Sequence, residues 1–247
     1  MFEKSICDLR RLSHELKRSG GAFYEKKVAP LSWPQGGRGN IVMQCDTAFE
    51  LGNPAKESVS FLLWTDDATA VRDGVMTCIG PDITDNSEAS LPFGRVVILA
   101  VKGFTRENCC DRHCELKLAR YDVNLRGYMM RAASHNMHEW SRISREAIGN
   151  GFSLDVLASA LIERYRSFDF VMAAEVVFIT TSTEHVRLLR SIYDRSIIII
   201  RAMNKMTREL SFDCDSCDYS GVCSDVAALR SIRKNIALKG QTVYEKC

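Results

Sequence analysis

No stretch of this 247-residue sequence approaches the ~20 consecutive apolar residues that a membrane-spanning helix needs. The opening Met1–Arg11 is charged throughout and lacks the apolar core of a secretory signal. A cytoplasmic location without membrane attachment is the expectation. Charge of one sign is missing as well. Lys and Arg total 33 against 31 Asp and Glu, a net charge of +2, so there is no basic field to hold nucleic acid. The tryptophans Trp33, Trp64 and Trp140 lack the interleaved basic residues of a single-strand stacking platform. Also absent are G-x-S-x-G, the P-loop, G-x-G-x-x-G and H-E-x-x-H, which removes the simplest hydrolase, nucleotide-binding and metalloprotease readings.

What remains is an ordinary globular composition, 46% hydrophobic and 26% charged, which supports a packed core. Phe2, Ile6, Leu9, Leu12 and Leu16 recur at helical spacing and predict a helix over 3–18, ended by Gly20-Gly21. A Gly- and Pro-rich loop follows. Strands are predicted over 41–51 and 58–65, with a turn at Gly52-Asn53-Pro54, and again over 95–101 after a turn at Gly80-Pro81-Asp82. Residues 107–148 read as helical in two pieces, stopped by Gly149 to Gly151. Ser153 then caps an amphipathic helix whose face is Leu154, Leu157, Leu161, Ile162 and Tyr165. A short buried strand over 175–180 and a helix from about 182 to 208 complete the body. Arg187, Arg190, Asp194, Arg201, Lys205 and Arg208 on that helix form either a solvated face or a docking strip. Strands first and helices interleaved later, without strict alternation, indicate an α+β fold with a mixed sheet and packed helices. The expected organisation is an N-terminal helix and loop (1–40), an α+β domain (41–210) and a short cysteine-rich C-terminal segment (211–247).

Ten cysteines are many for a reducing compartment, where disulfides are not expected. Cys7, Cys45, Cys78 and Cys247 are isolated and need no explanation beyond packing or exposure. The clustered ones are metal-ligand candidates. Cys214 and Cys217 form a C-x2-C pair, with Cys223 close behind. This is how a chain presents thiolates to a soft metal: an iron–sulfur cluster, or zinc as the alternative. Asp213, Asp215 and Asp218 disfavour uncompensated thiolates there, so a bound cation is the better reading than a free reactive cysteine. Three thiols need a fourth donor, from Cys247, from the 109–114 cluster or from another subunit, a homo-oligomer included. Cys110, His113 and Cys114 form a second candidate at helical i, i+3 and i+4 spacing, which a core-facing helix would equally satisfy. His135 and His138 beside Glu139 read as surface or satisfied core.

Several segments carry a resemblance. Phe49-Glu-Leu-Gly-Asn-Pro54, Gly80-Pro-Asp-Ile83, Leu91-Pro-Phe-Gly94, the run from Trp140 to Phe152 and Val176-Val-Phe-Ile-Thr180 occur in this order. Together they resemble the middle domain of the acetyl-CoA synthase (beta) subunit of the carbon monoxide dehydrogenase/acetyl-CoA synthase complex, over roughly residues 45–223. Trp-x-Arg-x-Ser-(Lys/Arg)-(Asp/Glu)-Ala is the most specific piece. The resemblance implies acetyl-CoA synthesis from methyl-corrinoid, CO and CoA on a nickel–iron–sulfur centre, in an anaerobic setting. It implies a corrinoid-pathway or CO dehydrogenase-type protein partner. It also implies a CoA contact at Arg142, and cluster ligation at Cys214, Cys217 and Cys223. The sequence departs from the family in having no counterpart of the fourth cubane cysteine and no Cys-x-Cys for a distal nickel. Because it ends soon after Cys223, most of the catalytic C-terminal domain is expected to be missing. Nickel is therefore not expected, and the reading is a short, metal-binding accessory or partial subunit. Alternatives are a small iron–sulfur redox protein and a zinc-stapled interaction module.

Overall fold

A computed structural model describes residues 1–19, 22–37, 40–85, 89–132, 138–208 and 217–231. The chain runs α1 (Glu3–Arg18), β1 (Phe23–Lys27), β2 (Thr47–Leu51), β3 (Ser58–Thr65), β4 (Val75–Ile79), β5 (Ser90–Leu91) and β6 (Phe93–Val101). It continues α2 (Cys109–Ala119), β7 (Tyr128–Ala132), β8 (Glu139–Ser144), α3 (Arg145–Gly149), α4 (Leu154–Arg166), β9 (Val171–Ile179), α5 (Thr183–Arg208) and α6 (Ser220–Asp225). The fold is α+β. A five-stranded sheet has the order β1-β4-β9-β6-β3, and a four-stranded sheet the order β5-β2-β8-β7. Both mix parallel and antiparallel neighbours: β3 and β6 run parallel, β6 and β9 antiparallel.

The inner strands of the larger sheet are covered on both faces, and β6 and β9 read as nearly continuous apolar runs for that reason, whereas the edge strand β1 is polar and largely exposed. Every residue of β3 and of β6 is buried. One face carries Gly94, Ile98 and Glu175. Leu189 of α5 lies against Gly94 so closely that a Cβ there would stand 2.6 Å from its Cδ1, and Arg10 of α1 reaches Glu175. The opposite face carries Arg95 and meets Glu139 of β8. One hydrophobic core runs from Phe2 and Leu9 through both sheets to Cys223, Val226 and Leu229. Among the described residues no helix is long and apolar enough to cross a membrane.

Amphipathic periodicity predicted α1 well: Ile6, Leu9, Leu12 and Leu16 are its buried face. Gly20 and Gly21 lie outside the described residues. The face predicted for α4 is buried at all five positions. Each fully buried leucine there contributes about 1.5–3 kcal/mol over exposure. Its cap differs from expectation. Ser153 precedes the helix without a side-chain cap bond. Asp82 supplies the acceptor instead, its Oδ1 taking the Leu154 N–H at 2.9 Å and the Ile83 N–H at 2.6 Å. The Gly80-Pro-Asp-Ile83 turn thus caps a helix far along the chain.

Two predicted elements are corrected. Strand over 41–51 is confined to Thr47–Leu51. Gln44–Asp46 forms a short 3-10 turn, preceded by exposed Ile41 and Met43. The helical reading of 107–148 holds only for α2 and α3, because β7 and β8 lie between them. The physical reason is visible in β8, where Glu139, Ser141 and Ile143 are buried in alternation. Two of these three inward positions are polar, so the strand carries no period-two hydrophobic signal. The buried strand predicted at 175–180 begins earlier, at Val171. The helix from 182 to 208 is present as α5.

Candidate functional site

The interface between the two sheets is built on a buried ion pair. Arg95 Nη1 donates to Glu139 Oε1 at 3.0 Å, and Arg95 Nη2 lies 2.5 Å from Oε2. Ser60 Oγ donates to the same carboxylate at 2.7 Å. The Glu139 backbone is pinned as well, its carbonyl accepting from Ser58 Oγ at 2.8 Å. Gly52 sits against that carbonyl with φ +61°, where a Cβ would come within 2.5 Å of the oxygen. Only glycine combines that conformation with that approach. Glu139 is therefore a structural anion on a strand, and His138 shares no helical turn with it. His135 lies outside the described residues.

Beside this pair, α2, α4, the C-terminal half of α5 and the edge strand β3 enclose a cavity of about 150 Å³. Phe61, Leu62, Ile197 and Ile200 supply apolar wall, whereas Arg95, Lys117 and Arg120 supply cationic groups. His113 also lines it. Its Nδ1 accepts from Trp64 Nε1 at 3.3 Å, which assigns the ring proton to Nε2. Burial, helped by the charge of Lys117, lowers its pKa from 6.5 to about 4, so it is neutral near pH 7.

The second cysteine cluster is split by this packing. Cys109 and His113 face inward, Cys110 is half-buried and Cys114 is exposed. Burial, then the neighbouring Cys110, pushes the Cys109 thiol up to about 12, which keeps it protonated and unreactive. Among the described residues no three His, Cys, Asp or Glu side chains converge as metal ligands.

Cys217 and Cys223 are both buried, at and within the short α6 turn. Backbone bonds from Ser220 N to Cys217 O (3.1 Å) and from Cys223 N to Tyr219 O (3.0 Å) shape that turn. Asp225 ties it to the body through Arg195 of α5 (3.0 Å) and Lys4 of α1 (3.4 Å). Cys214, Cys247, Asp213 and Asp215 lie outside the described residues.

Arg142 on β8 is almost buried. Its Nε donates to Glu50 Oε1 at 3.0 Å, and its guanidinium lies 4.9 Å from the Trp140 ring centroid. Its two Nη groups make no hydrogen bond to described residues, and Arg142 does not line the cavity above. On α5, Arg187 and Arg190 both pair with Glu57, at 3.0 and 2.8 Å. Two of the five cations of the strip are thereby engaged within the molecule.

Sequence reasoning missed the Arg95–Glu139 pair, although one signal was present. An arginine inside the otherwise apolar run 93–101 demands a buried counter-charge. The cavity had no such signal, because its lining is scattered from Ser60 to Asn204.

The family described as CO dehydrogenase/acetyl-CoA synthase complex beta subunit matches residues 30–186. No curated protein matches the chain. The matched segment contains the sheet interface, Arg142 and Glu139, and it stops before Cys217 and Cys223.

Proposed function

The chain belongs to the CO dehydrogenase/acetyl-CoA synthase complex beta subunit family, and we propose that it acts in that system as a metal-binding accessory or partial subunit. In this reading the α+β body, 41–210, engages a protein partner of the corrinoid or CO dehydrogenase type. The tail, 211–247, binds the metal. The carrying observation is that Cys217 and Cys223 are both buried in a turn clamped to α1 and α5 through Asp225. Holding two thiols in place before metal arrives lowers the ordering cost of binding. With Cys214 they would give three sulfur donors to an iron–sulfur cluster or to zinc, each of which needs a fourth ligand. That ligand would come from Cys247 or from a partner, including a second copy of the chain. The sequence has no Cys-x-Cys, so a distal nickel chelated in the family's manner is not part of the proposal. When bound, the metal would supply either electron transfer or a rigid staple.

CoA is the proposed small-molecule ligand of the body. The Nη groups of Arg142 are free to meet a phosphate while Glu50 and Trp140 hold the guanidinium in orientation.

Metal and sulfide analysis of protein purified without oxygen tests the first part. Iron with acid-labile sulfide, or roughly one zinc per chain, is expected, and Cys217→Ser should lose it. Metal-free protein, or nickel in stoichiometric amount, rejects the reading. Calorimetric titration with CoA tests the second part. Heat should appear with the wild type and diminish in Arg142→Ala, and no heat with the wild type removes CoA.

A further inference from the structure

We propose that the cavity beside the Arg95–Glu139 pair is a binding site for a small monocarboxylate with an apolar body. This inference is independent of metal at the tail and of CoA at Arg142. Three features define the ligand class. The first is charge: Arg95, Lys117 and Arg120 line the cavity, and no carboxylate does among the described residues. Glu139, which does not line the cavity, pairs with both Nη groups of Arg95.

The second feature is an unmet donor. Arg95 is 2% exposed, and its Nε has no hydrogen-bond partner. A buried N–H left this way is unfavourable, so the Arg95 guanidinium at the cavity wall keeps donor capacity that the protein does not use. A guanidinium edge favours a carboxylate, and such charge-assisted bonds are roughly twice as strong as neutral ones.

The third feature is size and polarity. A cavity of about 150 Å³ accepts a benzene-sized molecule. It is far too small for CoA. Phe61, Leu62, Ile197 and Ile200 would leave inorganic phosphate without matching surface, whereas a carboxylate carrying about three to six further carbons would cover them.

The experiment is calorimetric titration of the full chain with sodium benzoate, benzyl alcohol and inorganic phosphate. Benzoate is expected to bind, with the alcohol about tenfold weaker because it lacks the charge-assisted contact. Phosphate should be weaker still. Lys117→Met, at a half-buried helix position, should weaken benzoate about threefold. Ile197→Trp, verified as folded by circular dichroism, should fill the cavity and abolish binding. No heat with benzoate overturns the proposal, as does equal affinity for the alcohol or for phosphate. Unimpaired benzoate binding by folded Ile197→Trp overturns the location. Cys217→Ser separates this inference from the tail metal. Benzoate binding should persist in that variant, and its loss would assign the carboxylate to the metal and sink the cavity site.

Discussion

Glu175 and Glu139 lie against opposite faces of the five-stranded sheet, and each is a carboxylate sealed inside the protein. Their partners differ. Glu175 is 0% exposed, yet the side chains of Arg10 and Arg72 that hold it are 29% and 38% exposed. Arg72 contributes its Nε and backbone N–H, each at 3.0 Å, and Arg10 Nη2 comes to 2.5 Å. Burial pushes the Glu175 carboxyl upward, but the hydrogen bonds and charges of these two arginines outweigh it and hold it below the usual carboxylate range. Glu139 instead meets a single arginine that is itself 2% exposed. One anion is thus held redundantly by cations that keep part of their hydration. The other belongs to a desolvated pair in which neither member survives the loss of its partner cheaply.

The largest effect should come from breaking that desolvated pair. Glu139→Ala leaves Arg95 charged and buried, and should cost about 3–5 kcal/mol in urea unfolding. The double variant Arg95→Met/Glu139→Leu should recover most of this loss, since a buried pair is often replaced by apolar residues without net cost. If the single variant is as stable as wild type, the contrast between the two faces is wrong. Glu175→Gln should cost less, about 1–3 kcal/mol, because Arg10 and Arg72 can return to solvent. Its stabilising contribution is present above the ordinary carboxylate range and lost as pH falls through its depressed folded value. The variant should therefore lose part of the wild type's acid sensitivity below about pH 4.5. A loss equal to that of Glu139→Ala would erase the distinction.

His113 sharpens the comparison from the Glu139 side. It folds in as a neutral ring with its pKa lowered from 6.5 to about 4. The unfolded chain binds the extra proton first, so stability should fall as pH drops from about 6.5 towards 4, by roughly 3 kcal/mol in total. His113→Gln should flatten that segment of the stability–pH curve. An unchanged curve would mean that the ring is solvated.

These contrasts show how much could be read from local pattern. In α1 and α4 the buried set is mainly apolar and its period follows from helix geometry, and β3 and β6 are mainly apolar runs, so the elements are legible. The family kinship was legible too, through the order of short motifs around Gly52, Gly80, Gly94 and Trp140. β8 was misread as helix because Glu139 and Ser141 occupy inward positions where a hydrophobic pattern expects apolar residues. At α4 the N-cap position was read correctly as Ser153, but the capping acceptor was not, because it comes from Asp82, which is adjacent in space rather than in sequence.

Spacing and composition were enough to indicate an α+β body and the clustering of its cysteines, since these depend on neighbours within a few turns of chain, while the order of short motifs carried the resemblance to its family. The partners of the interior charges and the existence of the cavity are of another kind. Arg10 meets Glu175 across 165 positions, and Arg95 meets Glu139 across 44. The energy of such a pair depends on how far water is excluded from both members at once. Folding of distant segments sets that exclusion, and no local run of residues encodes it.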